Sequence, residues 1–344
     1  MNDTTRPLRR GWTTGACATA ATRAALIALW SGERSDVVRI TLPRGERPEF
    51  AITHWDAGPG WVEAGIVKDA GDDPDVTHQA LIIARLTGST GGVRFRAGEG
   101  VGTVTMPGLP IPVGEPAINP VPRQMMTAVV ADLAEREGRA PDVEITISIP
   151  GGEALAARTW NPRLGIVGGL SVLGTTGIVR PFSCAAWIAS IHRGIDVARA
   201  SGLHHVAGCT GATSESAVQG LLGLPDQAML DMGDFAGGML KYLRRHPVPR
   251  VTIGGGLGKL TKLAQGAVDL HSGRSQVDFE ALARVLGRAD VAEAPTVLAV
   301  HQMVGDPLVD WIVQTARAKA QVFISDSEVE VIAVDRAGMV VGRV

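Results

Sequence analysis

The feature that most restricts the fold is a regular alternation of short apolar runs and helix-like segments after residue 184. This alternation predicts βαβ units and a parallel sheet, whose ligands bind outside the carboxyl ends of the strands. A closing hairpin of residues 329–334 and 339–342 completes this half. The predicted strands are 205–207, 227–230 and 250–253, and the predicted helices are 185–200, 213–222, 235–245, 259–268, 279–286 and 307–320.

Small and acidic residues follow the three predicted strands. A glycine-rich first turn lets backbone approach a nucleoside, and an acid at the next strand end bonds its ribose hydroxyls. We therefore predict an adenosine-type ligand at this edge, and the alternative is an ordinary α/β unit with glycines at its turns. The predicted cofactor-binding residues are Gly208, Thr210, Gly211, Asp231, Asp234, Gly254, Gly256 and Gly258.

The first half of the chain has a different order of elements, which predicts an α+β domain with a curved mixed sheet. We expect a domain of residues 1–182 and an α/β domain of residues 183–344 with a Rossmann-like parallel sheet. Thr13 or Thr14 caps the first helix, and threonine-capped N–H groups also suit an anion. The predicted elements are a helix at 16–30, a hairpin of 37–42 and 49–53, a strand at 61–68, paired strands at 93–96 and 101–105, a helix at 120–137 and a strand at 143–149.

Residues 161–183 contain two apolar runs, 164–167 and 170–173, that stop at a polar loop. Apolar runs that end in glycine and hydroxyl residues predict buried strands that carry this loop to an edge. Thr175, Thr176 and Arg180 in or beside the loop suit a carboxylate or a phosphate. The alternative is a tight turn that only joins the two halves.

Four acids, a threonine and a histidine lie within residues 69–78, directly after a predicted strand. Asp72, Asp73 and Asp75 are the candidate catalytic acids, because a carboxylate at a strand end can accept a proton. Two alternatives stay open, a hard-cation site and a solvated turn. The EF-hand spacing is absent, which argues against calcium.

A glycine-rich segment at residues 98–102 is similar in composition to a phosphate-binding loop. It lacks the Gly-Lys-Ser/Thr ending of a P-loop and the following helix of a dinucleotide-binding motif. A phosphotransferase therefore remains only as an alternative function.

The charge balance and the cysteines exclude several classes of protein. The net charge of −2 argues against a general nucleic-acid-binding protein. The three cysteines are far apart and suggest neither a disulfide framework nor a zinc site. The first residues lack the apolar run of a signal peptide, and no run reaches roughly 18 apolar residues, so we expect a cytoplasmic protein without a membrane span.

Six long stretches between residues 9 and 272 resemble the cobalt-precorrin-5B C1-methyltransferases, the CbiD family. They are RRGWTTGACATAA, VKDAGDDPDVTH, GEGVGTVTMPGLPIPVGEPAINPVPR, NPRLGIVGGLSVLGTTGIVRPFS, DMGDFAGGMLK and GGGLGKLTKLAQGAVDLHS. The resemblance implies methyl transfer from S-adenosylmethionine to C1 of a cobalt-containing corrinoid in cobalamin biosynthesis. A non-catalytic corrinoid carrier is the other alternative.

The resemblance also implies a substrate with many carboxylates, which scattered basic residues and hydroxyls would bind. The cobalt belongs to this substrate, and we expect no resident metal, no nucleic acid and no membrane as partners; a homodimer is left open. The acids of the 69–78 loop would stabilise the electron-poor corrin or remove a proton. The candidate substrate-binding residues are Thr13, Thr14, Arg123, Arg163, Thr175, Thr176, Arg180 and Lys259, with Arg10 and Lys262 as further basic candidates.

Overall fold

A computed structural model describes residues 7–344 and divides the chain into two compact units. The first unit ends at Ser183 and the second spans Cys184–Val344. Each unit combines helices with sheets, so the chain is a mixed α/β protein. None of the helices in the described range is both long enough and apolar enough to cross a bilayer.

The first unit is built on a five-stranded mixed sheet of order β4-β5-β6-β9-β7, in which only the β7–β9 pair is parallel. Helix α1 packs against β5, β6 and α2. In chain order the elements are β1 (Gly11–Trp12), α1 (Thr14–Ser31), β2 (Val37–Arg39), β3 (Glu49–Ala51), β4 (His54–Gly58), β5 (Trp61–Val67), β6 (Leu81–Gly88), β7 (Arg94–Ala97), β8 (Thr103–Val104), α2 (Pro120–Glu137), β9 (Val143–Ser148), α3 (Gly152–Ala156), β10 (Ile166–Val167) and β11 (Ile178–Val179).

The sequence pattern of α1 explains its central place. Most of its buried positions are alanine, glycine, cysteine or threonine, so the helix can approach the sheet closely. Thr13 caps the helix through its hydroxyl, which accepts from the amide of Ala16, and Gly32 ends it in the left-handed conformation. The predicted helix, the hairpin of β2 and β3, and α2 with proline at its start are confirmed.

Two strand predictions in this unit are wrong. The segments around 93–96 and 101–105 do not pair with each other: β7 joins β9, and β8 pairs with β10. The glycine-rich turn between them separates their partners, because the Gly98 amide donates to Ile147 and the Gly102 amide donates to Leu170. The apolar runs at 164–173 form one two-residue strand and isolated bridges instead of two strands.

The backbone glycines explain this second error. Gly165 and Gly168 have φ angles of 69° and 84°, which interrupt an extended chain. The sequence analysis also did not predict β6, which lies in the middle of the sheet. Its first residues, Leu81–Ala84, are all apolar and lack alternation, because Ile82, Ile83 and Ala84 in succession are buried.

The second unit contains a five-stranded sheet of order β13-β12-β14-β15-β16, in which the first four strands are parallel and β16 is antiparallel. In chain order the elements are α4 (Cys184–Ala200), β12 (His205–Cys209), α5 (Ala212–Leu222), β13 (Met229–Leu230), α6 (Ala236–Leu243), β14 (Arg250–Gly256), α7 (Leu257–Ala264), α8 (Phe279–Leu286), α9 (Val297–Val304), α10 (Asp306–Phe323), β15 (Glu328–Val334) and β16 (Val340–Arg343).

The predicted parallel sheet and closing hairpin are confirmed, but the prediction of a glycine-rich loop that begins at Gly254 is wrong. Gly254 and Gly255 lie inside β14, and α7 begins at Leu257. A β-carbon on Gly254 would lie 2.6 Å from Val218, and one on Gly255 would lie 2.8 Å from Thr210. These two glycines therefore allow close packing around β14 and do not form a ligand loop. Helix α9 was not predicted.

The cysteines give a simple test of this packing. Cys17 and Cys209 are buried, and burial raises the pKa of each thiol to about 12, whereas Cys184 is exposed. Since the thiolate is the reactive form, we expect a thiol reagent to modify one cysteine in the native protein and three after denaturation. Peptide mapping should locate the native label at Cys184. Rapid native labelling of Cys17 would contradict the packing of α1.

Candidate functional site

Three of the predicted turns lie at one edge of the sheet in the second unit. Strands β12, β13 and β14 are parallel, so Gly211, Asp231 and Gly256 all follow or close the carboxyl end of a strand. A β-carbon on Gly211 would meet no atom within 4 Å, so the backbone is open there. Gly208 instead lies within β12, where a β-carbon would overlap the sulfur of Met239.

Lys259 connects the turns at this edge. Its ammonium donates to the carbonyl oxygen of Thr210 at 2.8 Å and pairs with Asp234 at 2.9 Å. The backbone adds a further link, because the amide of Gly233 donates to the carbonyl oxygen of Cys209 at 2.9 Å. The turns after β12 and β13 and the start of α7 therefore form one hydrogen-bonded group, which includes three predicted residues.

A cleft of about 500 Å³ opens beside this group. Three predicted site residues, Asp234, Gly258 and Lys259, line it, together with the further basic candidate Lys262. The sequence analysis did not predict its other polar residues as site residues. They lie after α7 and at the start of α9, and they are His271, Ser272, Gln276 and Thr296.

In the first unit, the acids of the 69–78 loop hold neighbouring segments together. Asp69 forms a two-pronged ion pair with Arg9, and the hydrogen bond from Arg9 lowers the pKa of Asp69 to about 2. Asp72 accepts from the backbone amide of Arg9 at 2.6 Å, and Asp73 accepts from the amide of Phe182 at 2.8 Å. Two of the three candidate catalytic acids thus bond to the backbone of the segments that carry β1 and β11.

The third candidate acid, Asp75, has a buried cationic partner. Lys68, whose side chain is 1% exposed, donates to both Asp75 and Thr77. Burial by itself would raise the pKa of Asp75, but the charge of Lys68 and the hydrogen bonds from Lys68 and Thr77 outweigh it and lower the pKa. Asp75 is therefore ionised, and its carboxylate serves as the counter-ion of the buried Lys68 ammonium.

The start of α1 is filled by protein groups. The amide of Gly15 donates to Leu173 at 2.9 Å, and the amide of Ala16 donates to the Thr13 hydroxyl at 3.2 Å. The anion site predicted there is therefore not open at these two amides, and Thr13, not Thr14, is the cap. Both threonines are buried.

The other predicted substrate-binding residues of this unit differ in their exposure. Thr175 and Arg180 are exposed, and the hydroxyl of Thr176 accepts from the amide of Ile178. The Arg123 side chain is engaged by groups of its own unit. Its guanidinium donates to Glu115 and to two backbone carbonyls and lies 5.2 Å from the Phe95 ring centroid.

Arg163 lies 4.8 Å from the centroid of the Trp160 ring. This stacking uses the face of the guanidinium and an aromatic ring from the same loop.

The glycine-rich segment at 98–102 does not form a phosphate cradle. The amides of Gly98, Val101 and Gly102 all donate to backbone carbonyls within the unit. Within residues 7–344, no group of three or more histidine, cysteine or acidic side chains is arranged to hold a metal ion. The features that suggested a phosphotransferase are thus packing and hydrogen-bonding features.

Comparison with known proteins gives one consistent result. Residues 1–181 match the CbiD family model. Three proteins called cobalt-precorrin-5B C(1)-methyltransferase are similar over nearly the whole chain: one from Paramagnetospirillum magneticum (60% identical, covering 97% of this chain and 98% of that protein), one from Rhodospirillum rubrum (58%, 99% and 98%) and one from Brucella anthropi (56%, 100% and 100%). A crystal structure of cobalamin biosynthesis protein (cbiD) from Archaeoglobus fulgidus is 26% identical, covers 82% of this chain and 85% of that one, and has a TM-score of 0.43.

Proposed function

We propose, since the chain belongs to the CbiD family, that it transfers a methyl group from S-adenosylmethionine to C1 of cobalt-precorrin-5B. The product would be cobalt-precorrin-6A, an intermediate of cobalamin biosynthesis in the cytoplasm. The observation that carries this proposal is full-length identity of 56–60% to proteins of that name. The aligned range covers 97–100% of this chain and so extends through both units.

The chemistry asks the protein mainly to position two ligands. The sulfur–methyl bond of the donor breaks as the methyl–C1 bond forms, and S-adenosylhomocysteine leaves. The positively charged sulfur supplies the driving force. The protein therefore accelerates the transfer mainly by holding the methyl carbon and C1 in line, roughly 3–3.5 Å apart. No metal of the protein is required for this step.

We place the donor at the carboxyl edge of the sheet in the second unit. Gly211 and Gly256 offer open backbone there, and Asp231 and Asp234 supply the acids that ribose hydroxyls or an amino group would need. Lys259 holds the Thr210 and Asp234 segments together at the same edge. The donor would therefore meet a group of turns that is already ordered without it.

We place corrinoid contacts on the first unit. Arg10, Thr175 and Arg180 are exposed, and such side chains can bind the acetate and propionate groups of the macrocycle without a strongly basic surface. Of the three candidate catalytic acids, we assign the reaction to Asp72 and Asp73, each of which accepts a hydrogen bond from a backbone amide. Asp75 is less suited to proton transfer, because it neutralises Lys68.

The activity is tested by incubating the protein with cobalt-precorrin-5B and S-adenosylmethionine and following both products by mass spectrometry. The methyltransferase should yield a corrinoid that carries one additional methyl group, with one equivalent of S-adenosylhomocysteine. A non-catalytic carrier would bind the corrinoid without a change in its mass. A phosphotransferase would bind ATP with magnesium in calorimetry and leave the corrinoid unmethylated.

The acids give a more specific expectation. If Asp72 or Asp73 stabilises the electron-poor corrin or moves a proton, Asp72→Asn or Asp73→Asn should lower kcat by about 100-fold or more. Asp36→Asn, an exposed acid outside these segments, is the matched control and should keep wild-type turnover. Full turnover by both the Asp72 and the Asp73 variants would show that the loop serves only structure.

A further inference from the structure

The cleft in the second unit contains a buried lysine without an acidic partner. Lys262 is 8% exposed, lies on α7 and lines the cleft. Its ammonium donates to the carbonyl oxygen of Leu270 at 3.0 Å, and among residues 7–344 no carboxylate lies within ion-pairing distance of it. The neighbouring lysine, Lys259, is already paired with Asp234.

The other buried lysine of the protein shows what a structural lysine requires. Lys68 is also buried, with 1% of its surface exposed, but it bonds to both Asp75 and Thr77. An ammonium that is buried with only one neutral acceptor is costly for the folded protein. A site that keeps this charge facing a cleft is therefore complete only when an anion enters the cleft.

The cleft also offers further hydrogen-bond donors, and the Asp234 carboxylate in its lining is already paired with Lys259. Helix α9 begins there, with Thr296 and Val297 in the lining. The Thr296 hydroxyl accepts from the amide of Ala299 at 3.1 Å, and the helix start as a whole carries partial positive charge. The Nδ1 atom of His271 accepts from the amide of Gly273 at 3.0 Å, which leaves Nε2 as the ring nitrogen that can donate to a ligand. Lys262, His271 and the α9 amides are thus suited to one acidic group.

We propose that this cleft binds a carboxylate group of a ligand, with the Lys262 ammonium as its counter-ion. The identity of the ligand rests on the proposed function, which offers two sources of this chemistry. One is the amino-acid carboxylate of S-adenosylmethionine, and the other is an acetate or propionate side chain of the corrinoid. A planar carboxylate can take one bond from Lys262 and another from a backbone amide or from His271.

The test compares wild-type protein with Lys262→Met, which keeps most of the side-chain volume and removes the charge. Lys319→Met, an exposed lysine on α10, is the matched control for the loss of one positive charge. Calorimetry would measure binding of S-adenosylhomocysteine and of 5′-methylthioadenosine, which lacks the carboxylate. The corrinoid arm would compare dicyanocobyrinic acid with dicyanocobinamide, whose peripheral carboxylates are amides.

We expect Lys262→Met to weaken the binding of one acid-bearing ligand by about 10- to 100-fold. Its affinity for the matching carboxylate-free analogue should be unchanged. Loss in the nucleoside arm would identify the donor as the source, and loss in the corrinoid arm would identify the macrocycle. Lys262→Arg should restore part of the affinity. Lys319→Met should bind all four compounds as the wild type does.

Thermal unfolding without ligand separates this role from a structural one. Removal of an unpaired buried charge should leave the melting temperature of Lys262→Met equal to or above that of the wild type. The inference is overturned if the wild type binds neither acid or if Lys262→Met binds both acids with wild-type affinity. It is also overturned if Lys262→Met loses as much affinity for the carboxylate-free analogues as for the acids. Wild-type turnover of cobalt-precorrin-5B tests the proposed function separately, so either idea can fail alone.

Discussion

Replacement of Gly100 by alanine should destabilise the first unit by about 3–5 kcal/mol. Gly100 has a φ of 70°, and a β-carbon there would overlap the carbonyl oxygen of Ile149 and lie 2.8 Å from the amide nitrogen of Gly152. Both obstacles are backbone atoms, so no side-chain rotation relieves the overlap. The change therefore combines left-handed strain with overpacking where the glycine-rich segment crosses the end of β9.

Gly114→Ala is the matched control for this change. Gly114 has a φ of 90°, but a β-carbon there would meet no atom within 4 Å. The free energy of unfolding of Gly114→Ala should therefore fall only by the cost of placing alanine in the left-handed conformation, about 1–2 kcal/mol. Chemical denaturation followed by tryptophan fluorescence reports mainly on the first unit, which holds five of the seven tryptophans. Equal losses for the two variants would refute the packing explanation.

Asp75→Asn should lower the free energy of unfolding by about 2–4 kcal/mol. The Lys68 ammonium would remain buried without a negative partner, and Thr77 would lose an ionised acceptor. The estimate lies toward the lower end for a broken buried pair because the Asp75 side chain is 23% exposed. The double variant Lys68→Met with Asp75→Asn should recover part of this loss, since it leaves no buried ammonium.

The pH dependence of the Asp75 variant follows from the sign of the pKa shift. The pKa of Asp75 is lowered in the folded protein, so its contribution is present above the ordinary carboxyl value of about 3.9 and is lost as the pH falls through the folded value. The difference between wild type and Asp75→Asn should therefore be constant near neutral pH and shrink below about pH 4.

An exposed ion pair provides the control for these measurements. Asp132 pairs with Arg23 and Arg136 at the surface of α2, with 42% of its side chain exposed. Asp132→Asn should therefore cost at most about 1 kcal/mol. A loss as large as that of Asp75→Asn would show that burial of the Lys68 ammonium is not the cause.

Sequence alone was sufficient for elements whose signals are local. The start of α1 follows from the Thr13 cap, the start of α2 from Pro120, and the parallel sheet from the alternation of strands with helices. The shared edge of Gly211, Asp231 and Gly256 follows from the same alternation, because parallel strands end together. Family membership was also available from the sequence, since long motifs preserve their order.

Only the tertiary structure decided what the glycines, acids and lysines do. Gly100 and Gly254 have the composition of ligand loops, but backbone and side-chain atoms from distant segments occupy the space beside them. The sequence alone does not distinguish Lys68 from Lys262, yet Lys68 has a carboxylate partner and Lys262 faces a cleft. Such roles depend on which remote groups come within a few ångströms, and that distance is set by packing of the whole unit rather than by local sequence.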